Sequence, residues 1–138
     1  MSPHLEREVR QRALERSEYC LIPESADIIP PQIDHIIARQ HDGQATSDNL
    51  ALACLSCNGH KGPNIAGIDP VTRALTRLYH PRQDRWDEHF GLARDGTILG
   101  TTAIGRTSVA VLKMNEFESR LLRSLLIREG VMVPGEVI

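Results

Sequence analysis

The sequence predicts an α+β fold, and three observations carry that reading. Apolar and β-branched residues gather in two short runs, Gln32-Ile33-Asp34-His35-Ile36-Ile37 and Leu50-Ala51-Leu52-Ala53, as expected of short strands. Apolar residues recur at helical spacing over 3–16, 104–114 and 116–128. Leu92-Ala93-Arg94-Asp95-Gly96-Thr97-Ile98-Leu99 resembles a small C-terminal β-hairpin with an Asp-Gly turn. A chain of 138 residues suits one domain, 1–138, with a modest core.

Taken in order, the first helix has Ser2 as N-cap, Pro3 at its first position, and Leu5, Val9 and Ala13 along one face, which should pack on the outside of the next segment. From Cys20 to Pro31 the chain is broken by Pro23, Pro30 and Pro31. The two apolar runs that follow are joined by a polar loop, Arg39 to Asp48, with Asp42-Gly43 as a turn signal. Two strands joined by a long loop is the simplest reading. After Cys57, Asn58-Gly59-His60-Lys61 reads as a short helix limited by Pro63 or as a loop, and local sequence does not decide. Leu75 to Tyr79 has strand character, and the last ten residues read as a loose tail or an edge strand.

Composition narrows the function. Apolar residues at 41% and charged residues at 25% exclude collagen-like, extensively disordered and coiled-coil chains. No run approaches the roughly 18 apolar residues of a membrane span, and MSPHLEREVR is too charged for a signal peptide. The expectation is a cytoplasmic protein without a membrane partner. The net charge of -2 conceals segregation: 21–60 sets Arg39 alone against Glu24, Asp27, Asp34, Asp42 and Asp48, whereas 61–94 carries Lys61, Arg73, Arg77, Arg82, Arg85 and Arg94. That second stretch is either a phosphate-binding surface or a solvated face of Arg–carboxylate pairs. Three Cys cannot pair off as a disulfide framework, which leaves metal ligation or buried thiols.

The chemistry concentrates in Asp34-His35, Asp48-Asn49-Leu50 and Cys54-x-x-Cys57-Asn58-x-x-Lys61-Gly62. Each part alone is weak, but if the two strands pair and a helix starts near Asn58, then Asp34, His35, Asn49 and Asn58 converge. With Ser17-x-x-Cys20 upstream, this order resembles the HNH endonuclease family, with its compact ββα-metal core, over residues 17–62. Gly67-Ile68-Asp69-Pro70 and the stretch His80 to Phe90 are similar to a small bacterial subgroup of stand-alone HNH proteins. The resemblance implies a core at about 17–66, with flanking helices and a C-terminal extension at about 67–138.

It also implies roles. Hydrolysis of a phosphodiester needs a water, a group to take its proton, and a cation to stabilise charge on the phosphate and the leaving 3′ oxygen. His35 is the expected general base, with Asn49 or its carbonyl holding the ring. Asp34 and Asn58 are the expected oxygen ligands of Mg²⁺ or Mn²⁺. A variant of the family has a second His four residues after the position of Asn58 and favours zinc or nickel; here that residue is Gly62. Lys61, His60, Arg82 and Arg85 are the expected nucleic-acid contacts, with His60 alternatively an exposed helix residue. His41 is expected in solvent, His80 falls outside the motif, and His89 is expected to be structural against Trp86. The family often carries two C-x-x-C knuckles sharing a structural zinc; here Cys20, Cys54 and Cys57 remain and Ser17 replaces the fourth Cys, a poor ligand that makes bound zinc an open question.

The expected activity is therefore metal-dependent endonucleolytic hydrolysis of DNA, with RNA as the alternative substrate, and mainly nicking with low sequence specificity. The competing readings are a non-catalytic zinc-knuckle nucleic-acid-binding module and a toxin or defence nuclease that needs a protein partner. Loss of Asp34 or His35 would have favoured the first of these; both are present.

Overall fold

A computed structural model describes residues 1–135, so three of the last ten residues, 136–138, lie outside the described residues. The described chain is a mixture of helices and small antiparallel sheets, an α+β fold, in two compact units. The first comprises Met1–Ile65 and His80–Gln83, the second Ala66–Tyr79 and Asp84–Ile138.

In the first unit, helix α1 (Pro3–Arg12) starts where expected: the Ser2 hydroxyl accepts from Leu5 N at 3.1 Å and Pro3 follows at the first helical position. It ends earlier than the periodicity suggests, because Leu14 and Glu15 take left-handed conformations (φ 58° and 56°). Its apolar face, Leu5, Val9 and Ala13, packs with Ile33, Leu50 and Leu52 in a cluster where Val9 and both leucines of the second strand are fully buried. Strands β1 (Gln32–His35) and β2 (Leu50–Ala53) pair antiparallel from Gln32 opposite Ala53 to His35 opposite Leu50. β1 is two residues shorter than the apolar run, and β2 is buried throughout.

Helix α2 (Leu55–Lys61) follows β2 directly. It begins three residues before the expected Asn58, because the Cys54 sulfur accepts from Cys57 N at 3.4 Å and caps the first turn, a part that thiols seldom take. Gly62, at φ 51°, ends it at Lys61.

In the second unit, β3 (Ala66–Ile68) pairs with β4 (Leu75–Arg77), then come α3 (Trp86–His89), the hairpin β5 (Phe90–Leu92) and β6 (Ile98–Gly100), α4 (Ala103–Leu112) and α5 (Phe117–Arg128). The hairpin turns at Gly96, φ 86°, as its Asp-Gly pair requires. Its aromatic core sets Tyr79 edge-on to Phe90, with Trp86 tilted against the same ring, each pair at 5.1 Å. His89 is structural, through different partners from those expected: its Nδ1 lies 2.7 Å from Thr102 Oγ1 and its ring edges onto Tyr79, while Trp86 pairs with Phe90. The fully buried Arg123 guanidinium donates to the carbonyls of Gly96 and Met114, each at 2.6 Å, and ties α5 to the hairpin turn. No helix among the described residues is long and apolar enough to cross a membrane.

Candidate active site and cysteine cluster

Alternation along β1 puts Gln32 and Asp34 on one face of the hairpin. Asn58 joins that face from α2, since its Nδ2 donates to Gln32 Oε1 at 2.7 Å. Lys61, one turn further along α2, meets Asp34 from the same side.

Asp34 is 5% exposed; its Oδ2 accepts from the Tyr19 hydroxyl at 2.8 Å, and the Lys61 ammonium lies 3.3 Å from Oδ1 and 3.1 Å from Oδ2. Burial pushes this carboxyl up, against the pull of Lys61 and Tyr19. Lys61 is 1% exposed and also donates to the carbonyls of His35 and Ile36, each at 3.1 Å. Its three N–H donors are thus matched by three acceptor groups inside the protein. This corrects the expectation of a phosphate contact: Lys61 offers nothing to the surface.

His35, half-buried at the end of β1, receives the Arg39 Nε–H on its Nε2 at 3.5 Å, which makes Nε2 the acceptor and assigns the ring proton to Nδ1. Burial pulls its pKa below the usual value, Arg39 and Lys61 add to this, and Asp34 opposes it. The ring is therefore neutral at neutral pH, with a lone pair at the side facing Arg39.

Asn49 is placed differently from the expectation that it holds the His35 ring. Its Oδ1 accepts from Ile37 N at 2.9 Å, and its Nδ2 donates to Ile37 O at 3.0 Å and Gln44 O at 2.9 Å. The side chain closes the base of the 38–43 loop, and the Asn49 carbonyl accepts from Ile36 N at 2.8 Å. Asn49 thus acts on the backbone following His35. Gly43 belongs to the same closure: a Cβ there would lie 1.7 Å from Ile37 O, while the left-handed turn residue is Asp42, at φ 66°.

The remaining candidates divide. His60 shares a 3.4 Å contact with Ser56 across one turn of α2 and is half-buried, not fully exposed. Arg82 is bound to Glu18, whose other oxygen accepts from Leu52 N at 2.8 Å, so this guanidinium braces β2 instead of facing a phosphate. Burial, then Arg12, pull it down to about 10. Arg85, in the second unit, is 69% exposed, and its ion pairs among the described residues are long, 3.5 Å to Asp87 and 3.9 Å to Glu88. His41 is exposed, and His80 accepts from Arg82 N at 3.2 Å.

Cys20, Cys54 and Cys57 converge: their sulfurs lie within 4.8 Å of one another, all buried, with Cys20 and Cys54 at 3.5 Å. Thiolates about 2.3 Å from a tetrahedral zinc would stand about 3.8 Å apart, so the trio fits such an ion. Hydrogen bonds from Cys54 and Cys57 pull Cys20 well down; the same contacts with Cys20 push Cys54 up to about 11 and Cys57 higher than usual. Ser17, fully buried, lies beside Cys20, its Oγ accepting from the amides of Tyr19 and Cys20 at 3.4 Å.

The donors on the α2 face also suit a hard divalent ion: a carboxylate with a lone-pair direction left after Tyr19 and Lys61, and Asn58 Oδ1, oriented by the Nδ2 bond to Gln32. Three residues here escaped the sequence reading. Gln32 was accessible through its i, i+2 relation to Asp34, Arg39 as the lone cation of an acidic stretch, and Tyr19 carried no sequence signal.

No curated protein and no solved structure matches the chain. Comparison with protein-family models matches residues 18–64 to the HNH endonuclease family. That span holds the β1–β2 hairpin, α2, Asp34-His35 and the three cysteines, an arrangement that is the family's ββα-metal core. Residues 18–64, about a third of the chain, are thus similar to the HNH endonucleases, which points to nuclease activity for that segment.

Proposed function

We propose that the protein is a metal-dependent endonuclease that hydrolyses phosphodiester bonds of DNA, nicking with low sequence specificity. The observation that supports this reading is a neutral, half-buried His35 at the end of β1, next in the chain to Asp34, whose face of the hairpin also carries Asn58. His35 takes the proton of the attacking water at Nε2 once the long 3.5 Å contact from Arg39, which uses the same lone pair, gives way to the water. Asn49 and Lys61 hold the backbone on which the ring is mounted. Asp34 and Asn58 would hold Mg²⁺ or Mn²⁺, and a divalent ion there would supply charge stabilisation to the phosphate and the leaving 3′ oxygen.

The cysteine trio is read as a zinc site weakened by Ser17, serving the fold and not the reaction. The test of function is nicking of supercoiled plasmid by the purified chain, dependent on Mg²⁺ or Mn²⁺, abolished by EDTA, and lost in His35→Ala.

A further inference from the structure

Lys61 is the least expected side chain of the site: an ammonium inside the protein, at the last position of α2. Burying such a group is costly unless every donor is satisfied, and here the acceptors come from three consecutive residues, the Asp34 carboxylate and the carbonyls of His35 and Ile36. From the other side, the Asn49 carbonyl takes Ile36 N–H and the Asn49 side chain takes Ile37 N–H. The peptide groups following His35 are thus held through their carbonyls by Lys61 and through their amides by Asn49.

We propose that Lys61 is a positioning residue whose buried ammonium organises the Asp34-His35 segment before any divalent ion arrives and, by sharing the Asp34 carboxylate with that ion, keeps the ion's affinity low. This rests on the reading that Asp34 and Asn58 hold the ion. The first half of the role is geometric: Lys61 sets the frame from which His35 reaches the water. The second is electrostatic, since two cations on one carboxylate repel each other. A merely structural lysine predicts the opposite for the ion, because loosening a site weakens its ligand.

The experiment measures Mn²⁺ binding by isothermal calorimetry, with plasmid nicking alongside, for the parent, Lys61→Met and Tyr19→Phe. Removing the ammonium should tighten Mn²⁺ binding about tenfold while nicking at saturating Mn²⁺ falls about tenfold or more. Tyr19→Phe, which deletes a neutral donor from the same carboxylate, should leave Mn²⁺ affinity within about threefold of the parent. Unchanged or weaker Mn²⁺ binding in Lys61→Met overturns the proposal. If Lys61→Met does not fold, the double variant Asp34→Asn/Lys61→Met decides: a folded double variant assigns the failure to the uncompensated Asp34 charge and supports the pair, whereas an unfolded one makes Lys61 a general structural brace and overturns it. A parent that binds Mn²⁺ without nicking contradicts the nuclease reading, and the affinity comparison then judges Lys61 alone.

Discussion

Removing the Asn49 amide tests how the loop after His35 is held. Asn49→Ala deletes three hydrogen bonds, to Ile37 N, Ile37 O and Gln44 O, at a residue only 9% exposed. At about 0.5–1.5 kcal/mol for each bond, with a larger cost for any group left dry, the loss should total about 3 kcal/mol. For a unit of this size that corresponds to a melting temperature lowered by about 10–20 °C. Asn49→Asp sharpens the test, because the carboxylate still accepts from Ile37 N but meets the two carbonyl oxygens without a donor. Its folded-state pKa is therefore raised above the unfolded value, so Asn49→Asp should recover stability as pH falls and lose it as pH rises through that pKa. Thermal melts of both variants between pH 4 and 8, with hydrogen exchange at Ile37, provide the assay. An Asn49→Ala protein that melts within about 3 °C of the parent would show that the closure contributes little.

The remaining expectations concern charge and metal. Ser17→Cys should raise both bound zinc and the melting temperature in zinc-supplemented buffer, because the three sulfurs are already gathered and the buried Ser17 hydroxyl lies beside Cys20; elemental analysis finding no gain would make the cysteines ordinary core residues. The acid limb of the pH–rate profile should lie below the ordinary His value of 6.5, since burial and Arg39 hold the His35 pKa down, and Arg39→Gln should move the limb upward. In the same window the unfolded chain takes up the proton first, so the stability tied to neutral His35 is lost as pH falls below 6.5 toward the folded-state pKa. Arg82→Gln should lower the melting temperature without altering the salt dependence of DNA binding, because Arg82 is tied to Glu18, whereas Arg85→Gln should flatten that dependence by about one unit and leave the melt unchanged.

The strands, the first helix and the hairpin were legible because their signals are local: β-branched runs, a Ser-Pro cap, an Asp-Gly turn. The start of α2 was not, since a cysteine sulfur supplies its cap. The short strand Ala66–Ile68 and the single-turn helix at Trp86 carry too few residues for a period to show. Within the site, residue types and order were readable, but partners were not. Lys61 and Arg82 look alike in sequence as cations near a phosphate-handling motif, and only three-dimensional packing reveals that each is matched to a carboxylate, Asp34 and Glu18. Asn49 similarly shows its type in the sequence and its backbone partners only in the fold.

In the proposed reaction His35, next to an ion that Asp34 and Asn58 would hold, removes a proton from water to cut DNA. The most direct measurement is the single-turnover nicking rate of supercoiled plasmid with Mg²⁺ or Mn²⁺, compared between the parent and His35→Ala at equal DNA occupancy. Cleavage should stop in EDTA, return with the ion, and fall by about 10²–10⁴ in His35→Ala while DNA binding is retained. Nicking by His35→Ala within a few-fold of the parent, or parental nicking that continues in EDTA, would contradict the proposed reaction.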